Sequence, residues 1–118
     1  NRLLGKLGEQ LTACQLIRNH QNILEMNYNV PKIGEIDIIS KDAEILVFTE
    51  VKTQTTGHGW GTPRTQIDEK KRDRIMNAVQ HFMDSHELDC DFRFDMAEVI
   101  LGSGKPQIQI IKDGMTGY

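Results

Sequence analysis

Two carboxylates stand equidistant from a single turn, and that symmetry limits the folds open to this chain. Asp37 and Glu50 lie equally far from Ala43-Glu44, and so do Glu35 and Lys52. The residues between them read as two strands. Glu35 to Ser40 alternates Ile36 and Ile38 with polar neighbours, Lys41-Asp42-Ala43-Glu44 turns, and Ile45 to Lys52 carries the apolar run Leu46-Val47-Phe48. An even-length hairpin centred on Ala43-Glu44 sets Asp37 opposite Glu50 and Glu35 opposite Lys52. Side chains alternate faces with period two, so all four are expected on one side of the sheet. Two acids facing each other across a strand pair repel unless something positive sits between them. A divalent cation and a lysine are the natural candidates.

The rest of the chain supplies the surroundings of that hairpin. Leu4, Leu7, Leu11, Cys14 and Ile17 recur at helical spacing, which predicts an amphipathic helix over residues 2–19 with Cys14 as a buried thiol. Ile23 to Val30 reads as a first strand that stops at Pro31. The Leu46-Val47-Phe48 strand is the most apolar, so it is expected at the centre of the sheet. Residues 53–63 hold three glycines and a proline and read as a loop. Thr65 suits a helix cap, and Ile67, Ile75, Ala78, Val79, Phe82 and Met83 give the following helix an apolar face to about Ser85. Phe92 to Leu101 and Gln107 to Lys112 are the last two strands, parted by Gly102-Ser103-Gly104-Lys105-Pro106. The order αβββαββ predicts an α/β (α+β) fold, a mixed sheet flanked by helices.

Composition narrows the classes. A chain of 118 residues suits a single domain over 1–118 with one modest core. Its 38% hydrophobic and 26% charged content is ordinary for a globular protein, and no apolar run approaches the roughly 20 residues of a membrane span. The two cysteines lack metal-site spacing and demand no oxidising compartment, so a cytoplasmic location is expected. The net charge of −3 is uneven: Lys52 to Arg74 gathers six cations against three anions. A locally basic surface can bind phosphates on an acidic chain.

The motifs carry a family resemblance. An aspartate on one hairpin strand and Glu-x-Lys on the next, after a leading helix, resembles the restriction-endonuclease-like PD-(D/E)xK nuclease superfamily. Within it the chain is similar to the UPF0102, or YraN-like, family of predicted endonucleases. The matching residues are Gly8-Glu9 and Ala13, Gly34-Glu35-Ile36-Asp37-Ile38-Ile39, and Leu46-Val47-Phe48-Thr49-Glu50-Val51-Lys52. Lys70, Ala78 and Arg93-Phe94-Asp95 also match, so the resemblance runs from about Gly5 to Ile100. One departure is Gln54, where family members usually carry an arginine; that removes a phosphate contact.

The resemblance implies a nuclease-type site. Asp37 and Glu50 are the expected ligands of Mg²⁺ or Mn²⁺, joined by the Val51 carbonyl and by Glu9, directly or through water. Lys52 orients or deprotonates the attacking water and stabilises charge on phosphorus. Glu35 is either a ligand or a residue that orients one, Gly8 lets its helix approach the sheet, and Asp95 is a structural residue, expected to support the Glu9 helix. Lys70, Arg64, Gln66 and His58 are candidate phosphate contacts, and Trp60 can stack on a base. The implied activity is metal-dependent hydrolysis of phosphodiesters in DNA, structure-selective or non-specific. Two alternatives stay open. One is a non-catalytic nucleic-acid-binding or partner-docking module on the same fold. The other is a Holliday-junction-type resolvase, which works as a homodimer because two strands are cut symmetrically.

Overall fold

A computed structural model describes residues 2–55, 69–102 and 104–113. The elements run α1 (Arg2–Arg18), β1 (Asn22–Val30), β2 (Gly34–Asp42), β3 (Ile45–Thr55), α2 (Glu69–Ser85), β4 (Phe92–Leu101) and β5 (Gln107–Lys112). The five strands form one sheet in the order β1-β2-β3-β4-β5. Only β3 and β4 are parallel, and α2 lies in the connection between them, as a parallel pair requires. The expected mixed sheet with flanking helices is the observed one. His58, Trp60, Arg64, Thr65, Gln66 and Ile67 lie outside the described residues.

The hairpin has the register that its sequence symmetry predicts. Asp42 faces Ile45, and the ladder continues to Ile38 opposite Thr49. Ala43 turns the chain at a positive φ of 55°, the backbone that two-residue hairpins favour. The strand β3 is central, and its parallel ladder runs from Leu46 opposite Phe92 to Thr55 opposite Leu101. That pairing carries strand structure through Thr53–Thr55, past the point where glycine and proline content predicts a loop.

The two helices cover opposite faces by different means. On α2 the buried residues Ile75, Ala78, Val79, Phe82 and Met83 follow helical spacing and pack on Ile36, Ile39, Phe48 and Met96. Phe48 meets Phe82 edge-on at 5.9 Å and Phe92 at 5.8 Å. Phe48 and Phe82, almost fully buried, each stabilise the fold by about 1.5–3 kcal/mol through burial alone. On α1 the buried residues are Gly8, Thr12, Ala13 and Leu16, a face of mostly small side chains. The apolar stripe read from the sequence is not that face: Leu7 is 47% exposed, Ile17 57%, and Cys14 is exposed as well. Small residues win because they bring the helix backbone close to the sheet. A Cβ on Gly8 would overlap the Thr53 hydroxyl, so glycine is required there.

Asp95 has the expected structural role, but at another place. It is buried in β4, accepts from Arg93 Nε at 3.1 Å and from the Asp113 amide at 3.1 Å. Arg93 also donates to Asp42 Oδ2 at 3.0 Å. These bonds tie the β2–β3 turn to the end of β5, and they do so at the end of the hairpin away from Asp37. Asp95 does not support the Glu9 helix.

Gly34 is the close-approach glycine of the other face, since a Cβ there would collide with the Arg74 carbonyl of α2. Backbone cannot swing aside as a side-chain tip can. Gly34→Ala is therefore expected to cost about 1–3 kcal/mol in urea denaturation. Gly5→Ala, whose methyl meets nothing, is expected to gain up to about 1 kcal/mol. Equal stability of Gly34→Ala and the parent would refute the close-packing account.

Candidate active site

The site forms where β2 parts from β3. Their ladder ends at Ile38 opposite Thr49, while β2 stays paired with β1 through Tyr28–Ile36, Asn29–Glu35 and Val30–Gly34. Beyond the break the Val51 amide has no β2 carbonyl to meet. It donates instead to Asp37 Oδ2 at 2.8 Å. The facing residues explain the geometry. Ile36 packs in the α2 core and Ile38 in the α1 core, so the usual alternation is broken at Asp37. In β1, Tyr28 packs with the α2 core and Met26 with the α1 core, and Asn27 between them has a φ of 53°. This paired kink turns the Asp37 carboxylate edgewise toward β3.

Groups from both helices converge on the gap. Asp37 and Glu50 are close enough to share a hydrogen bond. Burial pushes the Asp37 carboxyl up to about 9; the charge and hydrogen bond of Glu50 add to the rise, Glu9 adds a little, and the Val51 amide opposes it. From α2, Lys71 Nζ lies 2.6 Å from Glu50 Oε2, whose side chain is only 12% exposed. From α1, Glu9 Oε1 accepts from Asn27 Nδ2 at 2.8 Å. Asn27 also reaches Glu35 Oε1 at 3.4 Å and accepts from Lys6 Nζ at 3.1 Å.

Of the residues singled out from the sequence, Asp37, Glu50 and Glu9 come together. Glu35 is drawn to Asn27 and is not opposite Lys52, because the strands have already separated; no ion pair joins Glu35 and Lys52 among the described residues. The expected single-face quartet is therefore not formed. Lys52 is exposed on β3, level with Glu98 of β4, whose carboxylate is fully buried. Lys70 lines a cleft of about 790 Å³ together with Lys32, Gly34, Glu35, Asp37, Glu50, Lys71 and Arg74. Arg64, Gln66, His58 and Trp60 are outside the described residues.

Sequence reasoning passes over Asn27, Lys32 and Glu98, and it counts Lys71 and Arg74 only within the basic stretch from Lys52 to Arg74. For Glu98 there is a signal, an acid in the apolar run Met96 to Leu101. Asn27 leaves only a weak one, since asparagine tolerates a positive φ better than most residues. Lys71 and Lys70 are adjacent, and only the packing of α2 decides which one meets Glu50.

The donor set suits a hard cation. Mg²⁺ is commonly held by one or two carboxylates with several waters retained, and Asp37 and Glu50 offer that number. No cluster of three or more His, Cys, Asp or Glu side chains in metal-binding geometry occurs among the described residues.

A five-stranded mixed sheet flanked by two helices, ordered αβββαββ, is the restriction-endonuclease-like arrangement. The chain belongs to the uncharacterised protein family UPF0102, whose model matches residues 8–99. It is 36% identical over 110 residues to a UPF0102 protein of Christiangramia forsetii, covering 93% of this chain and 91% of that one. It is 37% identical over 112 residues to a UPF0102 protein of Geobacter metallireducens, covering 94% and 90%. A UPF0102 protein of Alkaliphilus metalliredigens is 38% identical over 103 residues, covering 86% and 89%. No helix among the described residues is long and apolar enough to cross a membrane.

The raised Asp37 carboxyl has a definite sign in stability. Its folded-state pKa of about 9 exceeds the ordinary 3.8, so its contribution is fully present below pH 4 and is lost as pH rises toward 9. In EDTA, Asp37→Asn keeps an acceptor for the Val51 amide and removes the charge. It is expected to match the parent near pH 4 and to exceed it by a few kcal/mol near pH 8, since a tenfold change in an ionisation constant corresponds to about 1.4 kcal/mol. A stability difference that does not grow with pH would contradict this.

Proposed function

We propose that the protein is a metal-dependent endonuclease that hydrolyses phosphodiester bonds in DNA, with structure-selective or non-specific action. The observation that carries the reading is the Asp37–Glu50 carboxylate pair at the parting of β2 and β3, inside a cleft lined by Lys32, Lys70, Lys71 and Arg74. Acids alone would repel a phosphodiester. Acids ringed by cations can hold a divalent ion and still attract a polyanion.

Asp37, Glu50 and the Val51 carbonyl would hold the Mg²⁺ or Mn²⁺ ion, with Glu9 joining directly or through water. Such an ion polarises a phosphoryl oxygen and acidifies a bound water. The chain's own groups do the rest. Val51 N–H keeps Asp37 aimed at the gap, and Asn27 keeps Glu9 beside it. Lys71 leaves Glu50 for an anionic phosphate oxygen as substrate enters, and Lys70 contacts the neighbouring backbone. Lys52 Nζ orients the attacking water and stabilises the charge that develops on phosphorus as the 3′ oxygen departs in line, and solvent takes the water's proton.

A second reading is a docking or nucleic-acid-binding module without catalysis. Its support is the Lys71–Glu50 ion pair, which already answers the need for positive charge at the acids, and Gln54 in place of arginine. A cleavage panel separates the two. Linear duplex, single-stranded, flapped and four-way-junction DNA are incubated with Mg²⁺, Mn²⁺ or EDTA. Wild type is expected to cut at least one substrate with metal only. Asp37→Ala and Lys52→Ala are each expected to lose at least about 100-fold while remaining folded. Cutting retained by both variants removes the assignment, and a folded, metal-binding protein that cuts nothing favours the docking module.

A further inference from the structure

The cleft at the acids does not end there. A second cavity of about 460 Å³ is lined by Lys32, Ile33, Arg74, Asn77, Gln80, His81 and Asp84. It shares Lys32, Ile33 and Arg74 with the first, so the two are parts of one trough between α2 and the β1–β2 turn. The trough runs alongside α2 from Lys70 to about Gln80, which at 1.5 Å per residue is about 15 Å. One strand of a duplex sets about four phosphates in that distance.

Three features mark this trough as built to hold anions. Lys32, Lys70 and Arg74 make no ion pair among the described residues, unlike Lys71. Lys32 also sits at a φ of 67°, a backbone that disfavours side chains and suits glycine or asparagine better. Lys32 places a cation on the turn wall and Arg74 places one on the helix wall, and both line the two cavities. Finally, Gly34 brings the backbone of the turn against the Arg74 carbonyl, so the two walls meet at the floor. A trough floored in this way, with cations on both walls, suits a sugar-phosphate backbone laid along it.

We infer that this trough binds a single nucleic-acid strand flanking the bond at Asp37 and Glu50, with Lys32 and Arg74 as its phosphate contacts and Lys70 at the end nearest the acids. This rests on the nuclease reading for its direction toward the acids, but its binding chemistry stands by itself. Asp84, which accepts from Gln80 Nε2 at 2.9 Å, closes the basic stretch at the far end.

The test is fluorescence anisotropy of labelled short oligo(dT), and of a labelled duplex of the same length, in EDTA, where cleavage plays no part, at several salt concentrations. The variant is Lys32→Asn with Arg74→Gln, since asparagine suits the left-handed backbone and glutamine keeps the helix. Lys105→Ala, on the exposed β4–β5 turn, is the charge control. Each phosphate contact contributes about 0.7 to the slope of log K against log salt for a single strand, so the double variant is expected to flatten the slope by about 1.4. Affinity is expected to fall at least about tenfold at low salt, with the control unchanged. Wild-type affinity and slope in the double variant would overturn the inference, as would a loss confined to duplex DNA. The cleavage panel reports separately: binding lost in the double variant while wild type cuts nothing would keep the trough and remove the nuclease. Cutting by wild type with unchanged binding in the double variant would do the reverse.

Discussion

When β2 leaves β3 after Ile38, the Val51 amide takes a carboxylate in place of a backbone carbonyl, and most of the site follows from that exchange. A buried amide must find an acceptor. By supplying one, Asp37 is fixed in the plane of the sheet, pointing at the strand that carries Glu50. The strand β3 tolerates the loss of its neighbour because its parallel ladder with β4 continues to Thr55. One edge of the central strand is thus opened while the other keeps it rigid. That combination suits a site whose ligands need fixed positions and whose substrate needs access.

The opened edge concentrates negative charge in a half-buried place, and the surrounding elements respond to it. Asn27 spans Glu9 and Glu35 with a single amide group, and Lys6 balances it from α1. Lys71 approaches from α2 and lies against Glu50. The arrangement is locally unfavourable for stability, as the raised Asp37 carboxyl indicates. It persists because the two cores on either side are independent of it. The aromatic contacts of Phe48, Phe82, Phe92 and Phe94 lie farther along the sheet.

Two glycines set how near the helices come. Gly8 seats α1 on Thr53, in the strand that bears Glu50 and Lys52. Gly34 seats α2 against the start of β2, three residues before Asp37. Both glycines border the carboxylates, so the helices are closest to the sheet where they deliver Glu9, Lys71 and Arg74. The polar groups therefore reach the gap on short paths.

Much of this was legible in the residues. The even spacing about Ala43-Glu44 matches the hairpin register from Asp42–Ile45 to Ile38–Thr49, because a two-residue turn fixes which residues face each other. The order of elements, the central place of β3 and the buried face of α2 followed from periodicity in the same way. The face of α1 did not, since hydrophobicity points to Leu7 and Ile17 while close packing selects Gly8, Thr12 and Ala13. The partners of the acids did not either. Whether Lys70 or Lys71 meets Glu50, and that Asn27 links Glu9 to Glu35, depends on how separate elements dock. Sequence by itself determined which residues share a strand and a register, because those are local properties of the chain. Tertiary structure alone decided that β2 and β3 part at Asp37, because that requires α2 to pull one end of β2 through Gly34 while β4 holds β3 in place.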